Sequence, residues 1–392
     1  MEKTRFTTPL EPVLRKMIAD SDMTGRTANG ETLSAISFHQ YMTVCLYHPD
    51  FGYYRSGTAR VGREGDFYTS AYVGDIMGGQ LASELAKRAK SEFPAATRVQ
   101  VFDWGGGTGR LSKMMLDAWA TLFAEAKAPQ FQCTVVDGNP SHRQAASEAL
   151  AAYITAGTAN VLSDTEVERI EEQFSSGPVI VVANELLDAF PVHRLTISDG
   201  DMKELGVAYR ESEGFVHCQI ELTDERLLTR LIETQAKPLE GQSFEVNLAA
   251  EDWFASLSDK LSRASAEALV VFIDYGDVTE ELLAPHRMDG TLLGYSGHRA
   301  LNDPFARPGE QDLTAHVDFG SLRRVALRLG WAERWYGTQK QFLVESGVMA
   351  QLSDHAISDP FHPTVRRNRA IRQLLLSDGM SELFKVQIWS NR

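Results

Sequence analysis

The segment "VFDWGGGTGRL" (residues 101–111) decides the fold prediction for this chain. It places four glycines in five positions directly after an apolar run that ends at Asp103. Glycine permits backbone conformations with positive φ and lets another group approach the main chain closely. The segment therefore predicts a strand, a tight loop that a ligand approaches, and an amphipathic helix that begins near Leu111.

Short apolar strands alternate with helical patterns through much of the chain, which favours a parallel sheet with helices on both faces. The predicted strands are residues 98–103, 131–137, 159–162, 179–184 and 268–274. Ligands of such sheets bind beyond the carboxyl ends of the strands. The polar residues that end these strands are candidate site residues by position: Asp103, Asp137, Asn184 and Asp274.

Three further segments accompany these strands, and the one nearest the C-terminus adds an antiparallel edge to the sheet. Residues 332–346 read as two strands around Gly337, a C-terminal antiparallel hairpin, after a helix over 319–329 that Asp318 caps and Gly330 ends. Residues 204–222 predict another hairpin, followed by a helical pattern to about Leu261, and we interpret this region as an insertion. Residues 1–94 look mostly helical, with a capping box over residues 37–40, and end in a loop rich in glycine and tyrosine.

Composition excludes several classes of protein. The chain has 392 residues, 43% of them hydrophobic and 23% charged, which is typical of globular proteins. The formal charge of −14 gives no basic footprint for nucleic acid, and the basic run at 365–372 is interpreted as a solvated helix face.

No apolar run is long enough to span a bilayer, and the first residues lack a signal-peptide core, so a cytoplasmic protein is expected. Cys45, Cys133 and Cys218 are interpreted as buried thiols, with no disulfide framework and no metal site.

The glycine loop discriminates between nucleotide ligands. A dinucleotide fingerprint requires a third glycine where Arg110 stands, and no P-loop Lys-Ser or Lys-Thr follows. The pattern that fits is acid-x-G-x-G-x-G, formed by Asp103, Gly105, Gly107 and Gly109. Such a loop suits a ligand without pyrophosphate whose cationic group pairs with the acid. S-adenosylmethionine (SAM) has both an amino group and a sulfonium, so SAM is the predicted cofactor.

The next two strands supply further cofactor candidates. Asp137 ends the second strand, where a carboxylate accepts hydrogen bonds from ribose hydroxyls. Ser163 and Asp164 follow the third strand and are candidates for the adenine side, with an ordinary helix N-cap as the alternative.

With these residues the sequence resembles the MidA family of class I SAM-dependent methyltransferases, which includes the mitochondrial arginine methyltransferase that assists complex I assembly. Besides the glycine loop, the resemblance rests on "YMTVCLYHPDFGYY" (41–54), "GREGDFYTS" (62–70), "VIVVANELLDAFPVHR" (179–194), "FIDYGD" (272–277), "GTLLGYSGHR" (290–299) and "PGEQDLTAHVDF" (308–319). Family members usually have a Glu-led G-P-G-R-G-T loop and Glu at the position of Asp137. Both departures keep the acid and shorten its reach.

The resemblance implies an α/β, Rossmann-like class I methyltransferase fold. Its mostly parallel sheet would carry the C-terminal antiparallel hairpin, the helical N-terminal extension and the insertion. The expected domains are an extension over residues 1–94 that covers the site, and a methyltransferase domain over 95–392 with the insertion at about 199–262.

The resemblance also implies roles for individual residues. Asn184 is assigned to the cofactor side, Glu185 to the acceptor guanidinium, and Asp188 to a second carboxylate or its support, with a helix-start acid as the alternative for Asp188. His316 and His298 are candidates for relaying a proton or for binding a main-chain carbonyl, although a lone histidine is more often structural. The segment "GDFYTS" supplies Phe67, Thr69 and Ser70 to the cofactor or acceptor lining, with an ordinary turn as the alternative. Tyr53 and Tyr54 are assigned to an acceptor channel or to the apolar core.

Three functions follow from these residues. The first is methylation of an arginine on a partner protein, without nucleic acid or membrane, and a homodimer is compatible with it. The second is methylation of a small molecule or another side chain, and the third is a non-catalytic SAM-binding assembly factor. An NAD oxidoreductase is disfavoured by Arg110.

Overall fold

The structure is a computed structural model that describes residues 7–55, 76–125, 129–170, 174–234, 236–296, 299–353, 359, 361–376 and 380–392. The chain divides into two compact units, each assembled from separate segments. Unit 1 comprises Met1–Ser56, Leu187–Trp253 and Gly276–Leu322. Unit 2 comprises Gly57–Leu186, Phe254–Tyr275 and Arg323–Arg392. We expected a single boundary near residue 94, so the division into units differs from the predicted one.

The strands and helices of the described residues are numbered here in chain order. The strands are β1 Thr24–Arg26, β2 Thr32–Ser37, β3 Arg98–Trp104, β4 Gln130–Val136, β5 Ala159–Leu162, β6 Val179–Asn184, β7 His193–Ser198, β8 Asp201–Arg210, β9 Gly214–Ile220, β10 Ser243–Val246, β11 Ala268–Asp277, β12 Leu293–Ser296, β13 Arg299–Leu301, β14 Asp312–Thr314, β15 Val317–Asp318, β16 Ala332–Thr338 and β17 Phe384–Ser390. The helices are α1 Glu11–Ala19, α2 Phe38–Tyr47, α3 Ile76–Glu92, α4 Arg110–Ala124, α5 Pro140–Ala149, α6 Ala151–Thr155, α7 Arg226–Thr234, α8 Leu248–Arg263, α9 Thr279–Leu282, α10 Phe319–Arg328, α11 Gln339–Glu345, α12 Pro363–Leu376 and α13 Met380–Leu383.

Unit 2 is built on a sheet with the strand order β16-β17-β11-β6-β3-β4-β5. The strands from β11 to β5 pair in parallel, and they are the five strands predicted from the sequence. Helices α3 and α4 pack on this sheet with a continuous apolar core that includes Leu81, Val101 and Met115. Trp119 of α4 stacks on Phe131 of β4 at 4.3 Å between ring centroids. The core therefore holds the carboxyl ends of β3, β4 and β6 at one edge of the sheet.

The predicted hairpin over residues 332–346 is wrong in its second half. Strand β16 is present, but the residues after it form helix α11. Thr338 caps this helix, and Gln341 completes a capping box with it. The antiparallel partner of β16 is β17, close to the end of the chain, and β17 also pairs antiparallel with β11.

Unit 1 contains a sheet with the strand order β10-β7-β8-β2-β1-β9. The predicted hairpin at 204–222 is present as β8 and β9. The N-terminal strands β1 and β2, which the prediction of a mostly helical extension omitted, pair with β9 and β8. The segment expected to be an insertion is thus part of the same sheet as the N-terminal strands. Strand β10 was also missed, because it was assigned to a helical pattern.

Predicted helix ends agree with the structure at two helices. Ser37 and Gln40 form the expected capping box at the start of α2. Asp318 accepts a hydrogen bond from the Ser321 N–H at 2.9 Å at the start of α10, and Gly330 follows this helix with a φ of 83°. Across the described ranges, no helix combines the length and the apolar character that a membrane crossing requires.

Candidate functional site

The glycine loop connects β3 to α4 at the carboxyl edge of the parallel sheet in unit 2. The N–H groups of Gly105 and Gly106 donate to the Val136 carbonyl at 2.8 and 3.3 Å. The Gly109 N–H donates to the Gly106 carbonyl at 2.9 Å, which closes the turn before α4. The loop is therefore fixed to the end of β4 by main-chain hydrogen bonds.

Gly107 is the point in this loop where a ligand has room to approach. Its φ is 54°, a left-handed conformation that residues with a side chain rarely adopt. A Cβ atom placed there would have no heavy atom of the described part of the chain within 4 Å. Its neighbours lie differently, because a Cβ at Gly105 would come within 2.8 Å of Leu186 and one at Gly106 within 2.9 Å of Asp103. The open side of Gly107 fits a loop that a cofactor approaches.

Asp137 lies against the same loop, directly after β4. Its carboxylate accepts hydrogen bonds from the Gly107 N–H at 3.0 Å and from the Asn139 N–H at 2.7 Å, and His142 Nδ1 lies 3.3 Å from it. Asn139 caps α5 by accepting from the Ser141 N–H at 2.9 Å. Binding of ribose hydroxyls by Asp137 remains a prediction, and the structure brings this carboxylate to the loop where that role requires it.

Asp103 faces the interior of unit 2. Its carboxylate is 1% exposed and accepts a hydrogen bond from the Ser112 hydroxyl of α4 at 2.5 Å. Burial raises the pKa of Asp103 to about 6, against the opposing effect of the Ser112 hydrogen bonds. The carboxylate thus joins the end of β3 to the first turn of α4 beneath the loop, and its pairing with a cationic ligand group remains a prediction.

Asn184 and Glu185 follow at the end of the neighbouring strand β6. Among the residues that the structure describes, the buried Asn184 Oδ1 atom has no hydrogen-bond partner, and the Asn184 Nδ2 donates to the Glu185 carboxylate at 3.4 Å. Glu185 has a φ of 52°, and its N–H donates to the Ile273 carbonyl at 2.8 Å. A left-handed backbone at a residue with a side chain costs about 1–3 kcal/mol and is common at functional sites. The structure therefore offers an amide oxygen and a carboxylate beside the strand end.

The other strand-end candidates of unit 2 have local roles. The Ser163 hydroxyl accepts from the Glu166 N–H at 3.2 Å, and the Glu166 carboxylate accepts from the Ser163 N–H at 2.8 Å. These reciprocal bonds cap a short 3-10 turn. This is the helix-cap alternative for Ser163. Asp164 is exposed, and its carboxylate accepts from the Thr165 N–H at 3.1 Å. Asp274 is fully buried. It lies inside β11 and does not end it as expected, because the strand continues to Asp277.

Asp188 belongs to unit 1, in a short 3-10 turn over Leu187–Ala189. It is 4% exposed, and its carbonyl accepts from the Ala315 N–H at 3.1 Å. Nearby, the Tyr54 hydroxyl donates to the Asp312 carboxylate at 2.8 Å. Burial, reinforced by Asp312 and Asp188, raises the pKa of Tyr54 well above its ordinary value. Asp312 was not identified from the sequence, although it lies in the quoted segment 308–319.

The remaining candidates lie either in unit 1 or outside the residues that the structure describes. The His316 N–H donates to the Thr291 hydroxyl at 3.1 Å. Tyr53 is 2% exposed and packs in the apolar core of unit 1, which is the core alternative for this residue. Four predicted site residues lie outside the described residues: Phe67, Thr69, Ser70 and His298.

Comparison with known protein families identifies the family to which the chain belongs. A family model described as "Putative S-adenosyl-L-methionine-dependent methyltransferase" matches residues 77–337. The chain belongs to this family. The match includes the whole glycine loop, Asp137 and Glu185. Membership of this methyltransferase family confirms the recognition, the type of enzyme and the SAM cofactor that the sequence predicted.

Solved and named relatives agree with this methyltransferase family. A Burkholderia thailandensis protein crystallised with S-adenosyl-homocysteine is 28% identical, with a TM-score of 0.79 over 97% of this chain and 91% of that chain. The "Protein arginine methyltransferase NDUFAF7 homolog, mitochondrial" of Drosophila melanogaster is 28% identical over 73% of this chain and 65% of its own length. The NDUFAF7 protein of Danio rerio, also named a mitochondrial protein arginine methyltransferase, is 26% identical over 81% of this chain and 74% of its own length.

The predicted cytoplasmic location is wrong by the same comparison, because these relatives of the methyltransferase family are named mitochondrial. The prediction rested on the composition of the first residues. That composition does not identify a compartment.

Proposed function

We propose that this methyltransferase transfers the methyl group of SAM to the guanidinium of an arginine on a partner protein. Relatives that are 24–28% identical are named protein arginine methyltransferases, which supports this acceptor. The observation that carries the proposal within the chain is the position and backbone conformation of Glu185.

Glu185 suits a cationic acceptor for three reasons. It follows β6 at the carboxyl edge of the sheet. It is two residues after Ala183, and Ala183 pairs with Trp104 beside the glycine loop. Its backbone has a φ of 52°. Carboxylates bind the planar guanidinium through two parallel hydrogen bonds, so one carboxylate fixes both its position and its plane. A strained backbone that presents such a carboxylate is consistent with a functional role for that side chain.

The chemistry requires orientation and removal of a proton. When bound, SAM supplies an electrophilic methyl group on its sulfonium. The guanidinium has a pKa above about 12 and must lose a proton when its nitrogen gains the methyl group. Glu185 holds that nitrogen in line and accepts the proton, and alignment of this kind lowers barriers by about 7–11 kcal/mol in favourable cases.

The residues of this chain that would hold SAM are those around the glycine loop. Gly107 leaves room for the ligand, Asp137 provides the carboxylate for the ribose, and the buried Asn184 Oδ1 provides an acceptor for a donor group of the cofactor. Asp103 stabilises the loop by joining the end of β3 to Ser112 in the first turn of α4. Asp164, Asp188 and His316 stay candidates with no role assigned to them in this proposal.

Transfer of radiolabel from methyl-labelled SAM tests the proposal. The purified enzyme is added to a protein extract of source cells that lack its gene, and the labelled proteins are hydrolysed to amino acids. We expect labelled methylarginine with the wild type and a loss of at least about 100-fold with Glu185→Gln, which keeps the shape and removes the charge. Glu148→Gln, an exposed carboxylate on α5, is the matched control.

Two results would contradict the proposal. Label in the small-molecule fraction or in an amino acid other than arginine would assign a different acceptor. Binding of SAM without transfer to any fraction would indicate a non-catalytic SAM-binding protein.

A further inference from the structure

Helix α7 of unit 1 exposes large apolar side chains on its outer face. Leu228 and Ile232 are 49% and 68% exposed, and because they are four residues apart they lie side by side on the helix surface. Leu227 on the inner face is fully buried in a cluster with Leu195 and Phe244. The helix is therefore anchored through one face while the opposite face presents an apolar pair to solvent.

Ion pairs hold α7 in this orientation. Arg230 bonds to the carboxylate of Glu251 on α8, whose side chain is 4% exposed. Arg226 bonds to Asp224 at 2.8 Å and to Asp252 of α8 at 2.6 Å. Because these contacts and Leu227 fix the helix on its inner side, exposure of Leu228 and Ile232 is a stable feature of unit 1.

The apolar pair lies in an acidic setting. Glu225 is exposed three residues before Leu228, on the same side of the helix, and Glu233 is exposed in the last turn, where it also accepts from Arg230 at 2.8 Å. Residues 199–253 contain thirteen Asp and Glu against five Lys and Arg, a formal charge of −8 out of −14 for the whole chain. Apolar side chains beside an exposed acid, in a segment of net negative charge, complement a basic segment that also carries an apolar side chain.

We propose that the α7 face, formed by Glu225, Leu228 and Ile232 with Glu233 at its edge, docks a basic, arginine-bearing segment of the acceptor protein. This inference rests on the proposed arginine methylation and adds the surface that recognises the acceptor. The apolar pair provides the buried centre of the contact. The flanking carboxylates select basic segments and accelerate encounter with them.

Direct binding tests the surface without relying on catalysis. The probe is a fluorescently labelled amphipathic peptide of leucine and arginine, compared with the same peptide carrying glutamate in place of arginine. Fluorescence anisotropy is measured with the full-length wild type, with Leu228→Gln/Ile232→Gln and with Glu225→Gln/Glu233→Gln. Leu327→Gln/Leu329→Gln replaces another pair of exposed leucines, in unit 2, and is the matched control.

We expect the arginine peptide to bind the wild type, and each α7 double variant to bind it about tenfold more weakly. The control variant should bind within about twofold of wild type, and the glutamate peptide should not compete. Failure of the wild type to bind, or equal binding by the α7 variants, would overturn the docking surface. A wild-type dimer in analytical ultracentrifugation that becomes monomeric in the Leu228→Gln/Ile232→Gln variant would instead assign the face to a second copy of the chain.

The methylarginine assay separates this inference from the proposed function. Absence of methylarginine with peptide binding that depends on the α7 face would contradict arginine methylation and leave the docking surface. Equal methylation of extract proteins by wild type and α7 variants would leave arginine methylation and remove the docking surface.

Discussion

The Asp137 carboxylate accepts a hydrogen bond from the Gly107 N–H at 3.0 Å. Gly107 lies in the loop after β3, and Asp137 follows the neighbouring parallel strand β4. The bond therefore joins two strand ends at the edge where ligands of parallel sheets bind. It fixes the loop and the acid relative to each other before any cofactor arrives, so little ordering is left to the binding step.

A methyl group at Gly107 should block cofactor binding more than it destabilises the fold. Gly107→Ala places a Cβ in open space at a φ of 54°, which costs about 1 kcal/mol of unfolding free energy. We expect SAM to bind at least about tenfold more weakly by isothermal titration. Gly157→Ala is the matched control, because Gly157 also has positive φ and open space. Equal loss of SAM binding in both variants, or in neither, would show that Gly107 does not face the cofactor.

Strain at Glu185 predicts opposite effects on stability and activity. Glu185→Gly removes the cost of the left-handed backbone and should raise the free energy of unfolding by up to about 1 kcal/mol in urea denaturation, while methyl transfer is lost. Ser265→Gly, at a φ of 52° in unit 2, should stabilise to a similar extent and keep activity. A destabilised Glu185→Gly protein would indicate that the carboxylate has a structural role.

The raised pKa of Asp103 predicts a pH dependence with a defined sign. The carboxyl group titrates near 3.8 when unfolded and near 6 when folded, so the folded state binds its proton more tightly. Its contribution to stability is present in full below about pH 4 and is lost as the pH rises through about 6. A rise of the pKa from 3.8 to about 6 corresponds to about 3 kcal/mol.

Asp103→Asn removes this titration and keeps an acceptor for Ser112. The free energy of unfolding of the variant relative to wild type should rise by about 3 kcal/mol between about pH 4 and pH 7. Urea denaturation at a series of pH values measures it. A difference that does not change with pH would show that Asp103 is not held in a desolvated environment.

Tyr54 should stabilise unit 1 through Asp312. Tyr54→Phe removes a donor from a carboxylate that is 3% exposed, which should cost about 1–3 kcal/mol in thermal or urea unfolding. Tyr153→Phe removes a tyrosine bond to Asp117 at the surface, and its cost should be below about 0.5 kcal/mol. Comparable losses in the two variants would contradict the role assigned to burial.

Local patterns were sufficient for the parallel strands. Runs such as "VIVVAN" contain enough Val and Ile to predict a buried strand. The order of the strands in the sheet then brings Asp137 to the glycine loop. The turn signal Asn29-Gly30, with a φ of 86° at Gly30, was present between β1 and β2 and could have identified that hairpin.

Contacts between residues far apart in sequence could not be predicted in this way. The pairing of β2 with β8 joins residues about 170 positions apart, and no local pattern selects that partner. The inward orientation of Asp103 depends on Ser112 lying on the inner side of α4, which the acid-led glycine pattern does not specify. The helix after β16 was assigned to a strand, although Thr338 and Gln341 provide a capping signal at its start.

Isothermal titration with SAM of the wild type, Asp137→Ala and Glu185→Ala tests the central assignment most directly, with thermal unfolding to verify that each variant is folded. We expect the wild type to bind one equivalent of SAM, Asp137→Ala to bind at least about 100-fold more weakly, and Glu185→Ala to bind like the wild type. A folded wild type that does not bind SAM, or an Asp137→Ala variant that binds it as tightly as wild type, would contradict the assignment of the glycine loop and Asp137 to the cofactor.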